Sequence, residues 1–435
     1  MAFGGVVLLA GVHAWQAAWL GQMADPMFIF DRFAYTFKGF FLFIVGIVIL
    51  MTRAANLTSH IGEFYLLLFS ALLGMLVLAS VHDLLLLFIG LELLTFSLYV
   101  MAAYLKSHAR SIEAGLKYLI MGSISSGFLV YGISLLYGVA GGTGFPLLRQ
   151  IFSTSPVSPM AYAGLLLILA GLGFKIAAVP FHLWVPDVYE GAPTPVVALL
   201  SVGSKMAGVI VLLRLLYEVC LPAQMLWGEL LAGLSAATML YGNLAAIPQT
   251  NIKRLLGYSS IGHAGYLLMG LSTATTSGAQ AVGMYLLAYL VSNLAVFFVV
   301  ALVSGIVGHD TLESYDGLSR RSPLLAAAMF LGLLSLAGVP PLAGFVGKLV
   351  VLLSAVDDQK LWLVAVGAVN VAISLYYYLM IVRRMYLLKP AVSKPLAIGA
   401  IDRMALMALM IGILLIGIVQ EPFLNLIGSS LPLSQ

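Results

Sequence analysis

Charge is scarce in this sequence: Asp, Glu, Lys and Arg make up 9% of 435 residues, against roughly 25% in an ordinary soluble domain. So few charges cannot give a solvated surface around a single core. Cysteine is almost missing, and the lone Cys220 excludes an internal disulfide, a cysteine-ligated iron–sulfur cluster and a cysteine-based zinc site. There is no Gly-rich phosphate loop between a strand and a helix. The net charge of +4 is small, and no basic cluster interleaved with aromatics stands in a polar context, so nucleic acid is not an expected partner. No cofactor or metal is expected on this chain, and any redox chemistry must sit on other chains. The first apolar stretch, residues 3–20, has no basic residues before it and contains His13, Trp15 and Gln16, so it reads as a retained membrane helix and not as a signal peptide.

What the chain has in abundance is hydrophobic residues, 62% of the total, in runs of about the 20 residues that a helix needs to cross the hydrocarbon. The bilayer offers no partner to backbone N–H and C=O, so these runs must be helices, and the alternation of a membrane barrel is absent. The expectation is an all-α polytopic transmembrane helix bundle of about 13 spans, found with a window of roughly 20 residues. They cover 3–22, 29–51, 63–81, 83–105, 112–139, 161–183, 194–217, 226–247, 251–271, 278–303, 323–354, 361–388 and 404–420. The stretch 323–354 is too long for one straight helix and contains Gly338, Pro340, Pro341 and Gly344, so it reads as broken. The stretch 161–183, with Gly171, Gly173 and Pro180, resembles it. Breaks at membrane depth are tolerated where they face protein or a polar cavity.

Assigning loops alternately to two sides puts twelve Lys and Arg residues on one, among them Arg53, Lys106, Arg110, Lys253, Arg254 and Lys394, and five on the other: Arg32, Lys38, Arg149, Arg214 and Lys360. The richer side is then cytoplasmic, and the C-terminus lies on the non-cytoplasmic side of a multi-pass protein of the inner (plasma) membrane. The Asn-Leu-Thr sequon at Asn56 falls on the cytoplasmic side and is discarded. A weak internal repeat is also visible. The two Pro-interrupted stretches each carry one lysine, Lys175 or Lys348, and five spans fall in each of the units 62–217 and 226–388. An odd number of spans inserts the second unit upside down, which in many transporters places a polar site near the midplane. A single integral-membrane domain over 1–435 is expected, with N-terminal helices in 1–61 and a C-terminal helix at 404–420.

The most informative residues are the ionisable ones inside spans. Glu92, Lys175, Lys205 and Lys348 fall mid-span, Lys117 about two turns into its helix, and His263 within GYSSIGHAGYLLMG. Each charge at a helix centre costs about 2.5–3.5 kcal/mol on insertion scales, so four unpaired ones would cost on the order of 10 kcal/mol. That rivals a whole fold's stability of about 5–15 kcal/mol. The groups must therefore be paired, hydrated or partly neutral, and a Glu–Lys pair whose spacing changes acts as a proton switch. Blander accounts stand beside this one: a structural ion pair for Glu92, snorkelling for the lysines, a surface pair of Lys117 with Glu113, and a hydrogen-bonded core histidine for His263. Asn293 reads as helix–helix glue, and Tyr376, Tyr377 and Tyr378 as packing or interfacial aromatics.

FHLWVPDVYEGAPTPVVALLSVGSK, from Phe181 to Lys205, resembles the signature of the N-type antiporter-like subunits of bacterial NADH:quinone oxidoreductase (complex I). GLELLTFSLYV, EAGLKYLIMGSISSGFLVYG, NIKRLLGYSSIGHAGY and GVPPLAGFVGKLVVL resemble the same family, and the likeness runs from about residue 63 to 390. The ending GSK at Lys205 favours the N type, since the L and M types and their sodium/proton antiporter relatives tend to have a histidine-rich stretch there. The resemblance implies two inverted five-helix repeats, each with a broken helix. It implies that Glu92 and Lys175 form a coupled pair, that Lys117 modulates Glu92, that Lys205 near His263 is the central relay and that Lys348 is the terminal proton site. The family ordinarily has about 14 spans, and the one without a counterpart in a roughly 20-residue window would be the first.

The function implied is proton translocation coupled to electron transfer between NADH and quinone. NADH, FMN, iron–sulfur clusters and quinone are then expected on partner subunits, the neighbours being an M-type antiporter-like subunit, small K-, J- and A-type subunits and the lipid bilayer. Two alternatives remain: an Mrp-type cation/proton antiporter or membrane-bound hydrogenase arm subunit, and a structural membrane subunit without an ion path.

Overall fold

The computed structural model describes residues 2–20, 24–55, 57, 60–154, 156–390 and 395–431; Asn56 and Lys394 lie outside them. The described residues are helical apart from short connections and a two-stranded antiparallel ribbon pairing 24–25 with 28–29. The principal helices of the first half are α1 (Ala2–Gln16), α2 (Arg32–Ala54), α3 (Ile61–Ala79), α4 (Leu84–Ala102), α5 (Ala109–Ala140), α6 (Phe145–Ser153), α7 (Pro159–Ile176), α8 (Val185–Gly191) and α9 (Thr194–Val219). Those of the second half are α10 (Gln224–Ala246), α11 (Ile252–Ser272), α12 (Thr276–Val307), α13 (Pro323–Ala337), α14 (Ala343–Asp357), α15 (Leu361–Leu387), α16 (Ala400–Ile418) and α17 (Glu421–Ser430).

Among the described residues nine helices are long and apolar enough to cross a membrane: α2, α3, α4, α5, α7, α9, α12, α15 and α16. Each of the thirteen expected segments carries helix, but α1 and α13 are shorter than a span. The 23-residue α10 and the 21-residue α11 are long enough yet are not among the nine. The sequence of α11 holds Lys253, Ser259, Ser260 and His263, all buried, and those polar residues are what it brings to the interior. Helices α9 and α12 are buried over their whole apolar windows and form the centre around which the others pack.

Both expected breaks are present. Helix α7 stops at Ile176, with Ala177 left-handed at φ 64°, and the chain runs irregularly to α8. Helix α13 stops at Ala337, and Gly338 at φ 90° turns the chain toward α14. A glycine is required at 338 for two reasons: the backbone is left-handed, and an added Cβ would lie 2.9 Å from Lys348 Cδ. The freed backbone groups at the breaks find side-chain partners. Trp184 Nε1 donates to Phe174 O at 3.2 Å, Val179 N to Thr238 Oγ1 at 3.1 Å, and Lys348 Nζ to Ala337 O at 2.9 Å.

Two of the charges read from sequence as loop residues on the poorer side are in the interior. Lys38 is buried on α2 with its ammonium 4.8 and 4.6 Å from the ring centroids of Phe28 and Phe30. Arg214 is completely buried near the end of α9, 2.7 Å from both Asp31 and Glu218 and 3.0 Å from Ala79 O. The expected span 194–217 already contained Arg214 near its end; the helix runs on past it through a π-helical stretch, Leu215–Val219, and packing seals the guanidinium inside.

Candidate functional site

Helix α4 starts cleanly because Asp83 caps it, accepting from Leu85 N at 2.7 Å. One turn apart on this helix stand Glu92 and Thr95. Ser126, from α5, donates to Glu92 Oε1 at 2.5 Å. Lys175, the penultimate residue of α7 and 4% exposed, donates to Thr95 Oγ1 at 3.0 Å. Among the described residues no ion pair within 4.0 Å joins Lys175 to Glu92; Thr95 is the contact between the two helices there. Gly208 on α9 lets that helix close on α7, since a Cβ there would lie 2.9 Å from Ile176 Cγ2, beside Lys175.

Lys205 follows directly on a π-helical stretch of α9, Leu200–Ser204, a distortion common at functional sites. Its ammonium donates to Ser260 on α11, both to the hydroxyl at 2.5 Å and to the carbonyl oxygen. Ser260 Oγ also meets the Tyr189 hydroxyl at 3.1 Å. One turn further along α11, His263 Nδ1 lies 2.6 Å from the Tyr285 hydroxyl and Nε2 3.1 Å from that of Tyr378, which is hydrogen-bonded in turn to Ser259. A cavity of about 10 Å³, about the volume occupied by one water-sized sphere, is lined by His263, Tyr285, Ser335 and Lys348. Lys348 on α14 donates to Ala337 O at 2.9 Å and to Ser374 Oγ at 3.4 Å.

These three lysines have one property in common. Each is at most 4% exposed, and the hydrogen-bond acceptors of each are hydroxyls and carbonyls, not carboxylates. A carboxylate partner favours the charged ammonium and locks it. A hydroxyl accepts from an ammonium and can turn to donate to an amine, so it serves both protonation states.

Lys117 is different. It ion-pairs with Glu113 and Asp187 at 2.7 Å each and is 44% exposed, and among the described residues no ion pair within 4.0 Å joins it to Glu92. Asp187 on α8 also binds Arg254 at 2.6 Å, and Glu190 binds Arg254 at 3.1 Å and Arg110 at 3.7 Å. The cluster lines a cavity of about 220 Å³. Burial pushes the Asp187 carboxyl up, but hydrogen bonds from Lys117 and Arg254 outweigh it and hold the carboxyl below its ordinary value.

Sequence reasoning missed the hydroxyls. Thr95, Ser126, Ser260, Tyr189 and Tyr285 are ordinary residue types in membrane helices, and only their spacing hinted at a role: Thr95 three residues after Glu92, Ser260 three before His263. The three consecutive tyrosines divide. Tyr376 is 56% exposed, as an interfacial aromatic would be. Tyr377 and Tyr378 are fully buried with bonded hydroxyls, because successive residues turn about 100° around a helix. Asn293 does act as glue, donating from α12 to Ser201 on α9 at 2.6 Å.

Residues 81–374, a stretch containing all six candidate positions, match the family described as NADH:quinone oxidoreductase/Mrp antiporter, transmembrane. The NADH-quinone oxidoreductase subunit N of Desulforamulus reducens is 41% identical over 421 residues, which is 96% of this chain and 88% of that relative. A chain of respiratory complex I from Thermus thermophilus superposes with a TM-score of 0.83 at 33% identity, covering 98% of this chain and 92% of that one. A chain of the Mrp complex from Dietzia superposes at 0.89 but with 21% identity, covering 99% and 91%, and so shares the fold. With a family match spanning the buried lysines and with close identity along nearly the whole chain, the protein belongs to the NADH-quinone oxidoreductase subunit N family of antiporter-like membrane proteins.

Proposed function

We propose that this chain moves protons as subunit N of a respiratory NADH:quinone oxidoreductase. Protons enter from the cytoplasm, pass along Glu92, Lys175, Lys205, His263 and Lys348, and leave outward. The driving event is quinone reduction on partner subunits, where NADH, FMN, iron–sulfur clusters and quinone are held, and it reaches this chain as a shift of charge. An M-type antiporter-like subunit and small K-, J- and A-type subunits are the neighbours. The C-terminus lies on the non-cytoplasmic side, and the units 62–217 and 226–388 act as inverted repeats.

The observation that carries this reading is the set of three buried lysines held by neutral acceptors on separate helices, Lys175 and Lys348 beside the two helix breaks and Lys205 beside a π-helical stretch. The identity of 41% to a subunit N, against 21% to the Mrp chain, favours the oxidoreductase over the antiporter.

Lys205→Arg tests it. Arginine keeps the positive charge but does not release its proton in a protein. Sealed vesicles bearing the assembled complex are expected to lose NADH-driven proton uptake as fully with Lys205→Arg as with Lys205→Ala. Wild-type uptake by the arginine variant would contradict the proposal.

A further inference from the structure

The resemblance assigns Lys117 to Glu92, but the structure leads its charge elsewhere. Lys117 and Arg254 both grip Asp187, on the seven-residue helix α8. Tyr189 stands two residues on, about 200° around the helix, and so faces the other way. It is 1% exposed, and its hydroxyl reaches the serine that cradles the Lys205 ammonium. The short helix is seated closely against two neighbours, α5 and α11. A Cβ on Gly191 would collide with Arg110 O on α5, and one on Gly257 would lie 3.3 Å from the Tyr189 ring. Helix α8 also follows the break after α7, and among the described residues no backbone hydrogen bond joins it to the helix carrying Lys175.

We propose that Tyr189 is a positioning residue for Lys205 and that α8 carries the state of the Lys117–Asp187–Arg254 cluster to it; this rests on the translocation reading above. When the grip on Asp187 changes, α8 shifts as a unit. The shift moves the Tyr189 hydroxyl against Ser260 and alters the cradle of the Lys205 ammonium. Lys117 thus acts on the centre of the chain of proton sites through one short, rigid helix.

A double-mutant cycle on the assembled complex in sealed inverted vesicles tests this, with protons taken up per NADH measured across pH. Asp187→Asn and Tyr189→Phe are each expected to lower the ratio about twofold or more, and the double variant to do no worse than Asp187→Asn alone, because residues on one path are not additive. Tyr189→Phe is also expected to move the pH profile of uptake, which loss of packing alone would not do. If Asp187→Asn lowers assembly, Lys117→Met takes its place in the cycle. Losses that multiply in the double variant, or an unmoved pH profile in Tyr189→Phe, would overturn the proposal. Lys175→Ala run alongside separates the two failures: normal uptake there overturns the translocation reading, while multiplying losses with Lys175→Ala inactive overturn the coupling alone.

Discussion

Lys175→Ala is expected to abolish NADH-driven proton pumping in vesicles that contain the assembled complex, and Glu92→Ala to do the same. The lysine has no substitute in its place. Its ammonium meets Thr95 Oγ1, and the nearest ring is Phe174, 5.4 Å from the charge. Removing the side chain therefore removes the proton site and leaves an apolar gap between α4 and α7. Assembly should survive, because the lysine holds no carboxylate whose charge would be left uncompensated among the described residues. Glu92 is only half-buried, and its partner is the neutral Ser126, so its loss also leaves no stranded charge. Proton uptake and the amount of assembled complex, measured on the same membranes, separate a loss of pumping from a loss of protein. Normal pumping by both variants would end the account of this site.

Arg214→Ala should act on stability instead, and strongly. The guanidinium is fully buried, bound to Asp31 and Glu218 at 2.7 Å each and to Ala79 O. Breaking a buried pair by removing one partner costs about 3–5 kcal/mol, because the remaining charge is uncompensated. Here two carboxylates are left, and Asp31 also caps α2 through Ala34 N at 2.7 Å. The expected result is a markedly lower thermal midpoint and little assembled complex. The combination Asp31→Asn, Arg214→Gln and Glu218→Gln should recover part of the loss, since it leaves neither carboxylate uncompensated and only the buried Lys38 without its acidic neighbour. By contrast the Arg53–Asp402 pair joins a half-exposed arginine to a buried aspartate, so water can reach one partner and Arg53→Ala should cost less than Arg214→Ala. An Arg214→Ala variant as stable as Arg53→Ala would show that the buried network holds nothing together.

Much of this was legible in the sequence. Scarce charge and long apolar runs dictated helices in a membrane, and Gly338 with Pro340 and Pro341 marked the second break. The buried lysines stood out because their neighbours are apolar. Their partners did not, since a threonine or serine at membrane depth carries no signal until a second helix is placed against it. The same limit explains Arg214 and Lys117. A charge near a span end reads as a loop or surface residue, and only packing shows that one is sealed among carboxylates and the other tied to α8.

The central claim is that the mid-membrane lysines work because neutral groups hold them. Thr95→Asp tests it most directly, by placing a carboxylate where the Lys175 ammonium now meets a hydroxyl. Protons taken up per NADH should fall to the level of Lys175→Ala, while the complex assembles in normal amount, because the new pair is well matched but locked. Uptake equal to that of the wild type, with the aspartate in place, would contradict the account.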